Sequence, residues 1–87
     1  MIESNIQIAC DLDYAVAYRI TELTQKLTKT SVTLTVLGKI VNANNLLQLL
    51  SIAVKRGTPC IITAHGDCEQ VAVDEISRIL RRESEAS

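Results

Sequence analysis

The sequence predicts an α+β fold in the order β-α-β-β-α-β-α, a four-stranded antiparallel sheet with three helices on one face. Three observations predict it. Apolar residues alternate with polar ones at Ile6, Ile8 and Cys10, and again at Val32, Leu34 and Val36, the period of half-buried strands. Two other segments space their apolar residues by three and four, the stripe of an amphipathic helix. The 87 residues, with no visible repeat or linker, suit a single domain spanning 1–87. A chain of that size buries roughly 60–65% of its unfolded surface, enough for one modest core.

Taken in order, residues 2–10 form the first strand. Residues 14–27 form a helix whose stripe is Val16, Ile20, Leu23 and Leu27, with Asp11 or Asp13 as N-cap. "SVTLTVLGK" is a second strand, apolar on one face and threonine-bearing on the other. Gly38-Lys39 makes the turn into a returning strand, "IVNA", since glycine tolerates positive φ. "NNLLQLLSIAV" is a helical element capped by Asn44 or Asn45, and Gly57 ends the connection that follows. Pro59 opens a fourth strand, "PCIITA". In the last helix, Asp67 and Gln70 resemble a capping box. Ala72, Val73, Ile76, Ile79 and Leu80 form its buried stripe, and Arg81 and Arg82 oppose the dipole in its last turn.

Composition excludes several functions. Nine basic and ten acidic side chains give a net charge of −1, without the basic footprint of a nucleic-acid binder. Tyr14 and Tyr18 are the sole aromatic residues, too few for a base-stacking platform. No apolar run is long enough to span a membrane. The start, "MIESNIQIACDLD", lacks the basic and apolar blocks of a secretory signal, so a cytoplasmic protein is expected. Three cysteines without CxxC spacing read as reduced thiols. Cys10 and Cys60 fall at strand positions as small hydrophobes, and Cys68 falls near a helix start, where reactive thiols occur. His65 lies near Cys60 and Cys68, but strand alternation sends Cys60 and His65 to opposite faces. No metal site and no cofactor are expected, and His65 reads as a solvated loop residue.

The segment "VTLTVLGKIVNANNLLQLLSIAVKRGTPCIITAHGDCEQVAVDEI" resembles HPr, the histidine-containing phosphocarrier protein of the sugar phosphotransferase system. It is particularly similar to Bacillus-type members and to their regulatory paralogue, catabolite-repression HPr. The likeness rests on "GK-VNA", "LLSIAV", "GT" and "A-G-DCEQ-AV", runs without gaps and covers about half the chain. It implies an open-faced β-sandwich of four antiparallel strands and three helices. In that family a histidine at the start of the first helix carries the phosphoryl group, within Gly, an apolar residue, His, any residue, Arg, Pro. Imidazole nitrogen forms a reversible phosphoramidate, while the helix N-terminus and the arginine hold the dianion.

Residues 11–18, "DLDYAVAY", depart from that motif at every polar position. One register places Tyr14 at the phosphohistidine and Val16 at the arginine; the next places Ala15 and Ala17 there. In either, no histidine precedes His65 and the first arginine is Arg19. A phosphoryl dianion about 6 Å from one aspartate is repelled by roughly 1.4–5.5 kcal/mol for effective dielectrics of about 80 down to 20. Asp11 and Asp13 therefore disfavour phosphate at this helix start. The family's regulatory serine aligns with Asn45, which has no hydroxyl to phosphorylate but caps a helix well.

What the resemblance leaves is partner recognition. Family members meet partners through the first helix and exposed leucines or methionines of the second, matched here by Leu46, Leu47 and Leu50. Helical spacing gives those three a common exposure, while Leu49 and Ile52 read as core. The expected function is a protein-binding or regulatory module that is not an enzyme. Its partner would be a phosphotransferase-system component or a transcription regulator. Two other readings stay open: phosphoryl transfer through a non-standard residue, and self-association through the leucines. The oligomeric state is not legible.

Overall fold

The computed structural model describes residues 1–9, 12–27, 29–52 and 55–81. Its elements are β1 (Ile2–Gln7), α1 (Tyr14–Lys26), β2 (Thr30–Val36), β3 (Lys39–Asn42), α2 (Leu46–Ser51), β4 (Pro59–Gly66) and α3 (Glu69–Arg81). The four strands form one sheet in the order β1-β4-β2-β3, antiparallel at every junction. β4 is the last strand in sequence yet pairs with β1 on one side and β2 on the other.

Strand alternation decides the layers. Val32, Leu34 and Val36 of β2, Cys60, Ile62 and Ala64 of β4, and Val41 of β3 are buried on the helix-covered face. Ile2 and Ile6 of β1 stand opposite Ala64 and Cys60 on the same face and pack partly against the core. Thr33, Thr35, Ile61 and Thr63 lie half-buried on the other face, beside exposed Ile40. From the helices come Ala17 and Ile20, Leu49, and Ala72, Val73, Ile76 and Leu80. Among the described residues no helix is long and apolar enough to cross a membrane.

Several sequence expectations shift on the structure. β1 stops at Gln7; Ile8 is still buried and its amide donates to Thr58 O at 2.9 Å, while Cys10 lies outside the described residues. The buried face of α1 is Ala17, Ile20, Thr21 and Thr24, with Val16, Leu23 and Leu27 only half-buried. The stripe is rotated because threonines can enter the core by bonding to carbonyls. Thr21 Oγ1 donates to Ala17 O at 2.9 Å, and Thr24 Oγ1 lies 2.9 Å from Thr21 O and 3.2 Å from Ala43 O. The hairpin turn is Leu37–Gly38 rather than Gly38–Lys39: φ is +53° and +80°, as a two-residue type I′ turn requires, and Val36 pairs with Lys39. α2 spans six residues instead of the eleven of "NNLLQLLSIAV", whose Ala53 and Val54 lie outside the described residues.

The start of α3 also differs. Gln70 does not reach back; its amide donates forward to Asp74 Oδ1 at 2.9 Å. The first helical bond runs from Ala72 N to Cys68 O, and the Cys68 amide is satisfied by Thr30 Oγ1 at 2.9 Å. Glu69 takes the reciprocal role, accepting from Gly66 N at 3.2 Å and pairing with the Met1 ammonium at 3.0 Å. The ammonium and then the Gly66 amide hold its carboxyl below the usual carboxylate range. Gly66 sits at φ +142°, where a Cβ would fall on the Lys29 carbonyl oxygen and 2.7 Å from Thr30 Cα.

Gly66→Ala should destabilise the protein by at least about 2 kcal/mol in urea titrations, combining left-handed strain with overlap on backbone atoms. Gly57→Ala, at φ +95° in open space, should cost about half as much or less. A lowered carboxyl stabilises the fold above its unfolded value of about 4.3 and loses that contribution as pH falls through the folded value. Wild type should therefore exceed Glu69→Gln in melting temperature at neutral pH, the gap closing as pH falls below about 4.3.

Candidate functional site

The start of α1 is shaped by Asp13. Its backbone is extended, φ −92° and ψ −175°, its Oδ1 accepts from Val16 N at 3.0 Å, and its carbonyl accepts from Ala17 N at 2.9 Å. Of the two expected caps, Asp13 is the one observed; Asp11 lies outside the described residues. Leu12 is buried beneath the turn and anchors the approach of the chain. Tyr14 is the first helical residue, 61% exposed, and Ala15 beside it is also exposed. One turn on, Tyr18 is 48% exposed, and its ring stacks on that of Tyr14 at 6.1 Å with planes 18° apart. The spacing of four that allows this was visible in the sequence, but the pair was not singled out there.

The start of α2 lies across a groove from α1. Asn45 is its N-cap, accepting from Gln48 N at 3.2 Å through its side chain and from Leu49 N at 3.1 Å through its carbonyl. Asn42 supports the turn: its Oδ1 accepts from Asn44 N at 3.1 Å, and its backbone N–H donates to Gln48 Oε1 at 2.7 Å. The short helix is thus held by amide side chains in a closed exchange. With Leu49 and Ile52 buried, Leu47 is turned outward and 78% exposed, and Leu50 is 39% exposed. Leu46 is half-buried and packs on the core, so the leucine patch centres on Leu47 and Leu50.

Tyr18, Glu22, Asn44, Asn45, Leu46 and Leu47 line one open groove of about 360 Å³ between the two helices. The structure therefore brings Tyr14, through its stack on Tyr18, to the same surface as Asn45 and Leu47. Ala15 and Leu50 do not line that groove. Glu22 was missed in the sequence because a carboxylate on an exposed helix face carries no signal until a groove forms beside it.

The remaining reactive groups lie elsewhere. His65 is exposed near the end of β4, opposite Ser31, while Cys60 faces the core, as alternation predicts. Burial pushes the Cys60 thiol up to about 11, so it stays protonated and inert at neutral pH. Among the described residues no three His, Cys, Asp or Glu side chains converge as a metal site would need.

The chain matches the family model described as the PTS HPr component phosphorylation site over residues 2–82. No curated protein sequence matches it. Among solved structures, HPr-C-His from Thermoanaerobacter tengcongensis superposes with a TM-score of 0.85 at 22% identity, covering 95% of this chain and 94% of that one. The phosphocarrier protein HPr from Bacillus anthracis gives 0.84 at 18% identity, covering 91% and 95%. Crh of Bacillus subtilis, solved as an intertwined dimer with a swapping domain, gives 0.73 at 26% identity, covering 94% and 91%. With the family model matching residues 2–82 and the fold superposing on these structures, the chain belongs to the HPr family.

Proposed function

We propose that this chain acts as a protein-binding or regulatory module of the phosphotransferase system, through the surface shared by α1 and α2, without itself being phosphorylated. The observation that carries the proposal is the Asp13 carboxylate on the Val16 amide. In the family a histidine caps the first helix and holds the phosphoryl group at its free amides. Here an acceptor that cannot form a phosphoramidate occupies such an amide and brings a negative charge. Tyr14 or Ala15 stands at the family's phosphohistidine position, and Val16 or Ala17 at its arginine. Asn45 at the regulatory serine's position retains the cap and removes the acceptor hydroxyl.

Exposure of Leu47 and Leu50 supports the binding reading, because large apolar side chains rarely face water together without a partner. A phosphotransferase-system component or a transcription regulator fits the family, as does a cytoplasmic setting. A second reading, phosphocarriage through a non-standard residue, draws on membership of a family whose model is described by its phosphorylation site.

Incubation with phosphoenolpyruvate and Enzyme I should leave the intact mass unchanged; a stable one-phosphoryl adduct within residues 11–19 would establish the second reading instead. Leu47→Asp should keep its stability within about 0.5 kcal/mol, as exposed positions do, while losing capture of the partner from the source organism's lysate. If that variant unfolds, Leu47 belongs to the core and the patch is wrong. Asp13→Ala should lose about 1 kcal/mol of stability in denaturant titrations, the usual value of an N-cap.

A further inference from the structure

We propose, building on the binding function above, that the partner presents an arginine to the Tyr14–Tyr18–Glu22 row of α1, with an apolar residue beside it on Leu47. Residues 14, 18 and 22 are four apart and lie along one line of the helix. The two rings are stacked and exposed, and Glu22 is exposed one turn beyond them. Among the described residues no ion pair engages Glu22. Across the groove, α2 contributes no charged side chain between Leu46 and Ser51, and its flanking Asn44 and Asn45 are neutral. Among the described residues Glu22 is therefore the single formal charge lining the groove. Glu22 stands between this groove and a neighbouring one between α1 and α3, which Arg19, Lys26, Glu75 and Arg78 also line; neither Arg19 nor Lys26 lines the first groove.

Every element of the row favours a cation. Aromatic faces carry the negative side of the ring quadrupole, and a planar guanidinium stacks on them while forking to a carboxylate. An anionic side chain would meet the same ring faces and the same carboxylate with the opposite sign. Leu47 adds an apolar contact that does not discriminate charge. The surface thus opposes the requirement of a phosphoryl site, which needs cations and free amides, and its selectivity is for a basic residue next to an apolar one.

The test is an NMR titration of the intact ¹⁵N-labelled protein with short helical peptides. They are identical except at one position beside a leucine, which carries Arg, Gln or Glu. The Arg peptide should shift Tyr14, Tyr18, Glu22 and Leu47 and bind at least about tenfold more tightly than the Glu peptide, with Gln between. Glu22→Gln and Tyr18→Ala should each erase most of the preference for the Arg peptide over the Glu peptide. Binding of all three peptides at Leu47 with equal affinity overturns the arginine assignment and keeps the docking surface. Failure of every peptide to shift these residues overturns both. Concentration-dependent shifts of the same residues in the protein alone, with dimer by sedimentation, assign the surface to a second copy and overturn the arginine partner.

Discussion

The pairing of β4 on both of its edges is the constraint from which the rest of the molecule follows. Six residues pair it to β1 and seven to β2, so the strand closest to the C-terminus sits in the middle of the sheet. The sheet cannot be completed until the chain has made both earlier helices. β1 and β2, each antiparallel to β4, then run parallel, and α1 must cross the sheet to connect them. That crossing sets α1 over the core next to α2, which creates the groove.

Two junctions keep the arrangement in register. At the lower end of β4, Gly66, Thr30, Cys68 and Glu69 exchange backbone and side-chain bonds where α3 begins, and a Cβ on Gly66 has no room. At the same end of the sheet, across β2, Thr24 on α1 reaches Ala43 O between β3 and α2. A hydroxyl in the core is tolerated because a carbonyl satisfies it, and it ties the two helices bearing the exposed aromatic and leucine side chains. The groove between α1 and α2 is thus positioned by a buried polar contact rather than by apolar packing alone.

The sheet and helices were legible because their apolar periods are regular; the α3 stripe, Ala72 to Leu80, was readable almost residue by residue. What was not legible was polar chemistry inside an element. An apolar stripe leaves out Thr21 and Thr24, whose burial depends on carbonyl partners that only the fold supplies, so the α1 stripe was misplaced. Leu37 in the left-handed region could not be foreseen, since nothing local favours a leucine there; the strand register imposes it. Asn45 as a cap and Leu47 as an exposed leucine were readable from spacing, yet the groove joining them to Tyr18 and Glu22 needed the tertiary fold. The absence of histidine near the first helix was plain from composition, and the Asp13 carboxylate on Val16 gives that absence a geometry.

The interior contains no aromatic ring: its large side chains are aliphatic, and both tyrosines of the chain stand together in the exposed stack on α1. Near-ultraviolet absorption and dichroism therefore arise almost entirely from the exposed face of α1. Any ligand that covers that face would meet a native optical reporter. Loosening of the core would pass nearly unseen in the same signal, so a compact state with melted packing must be followed through methyl resonances or hydrogen exchange.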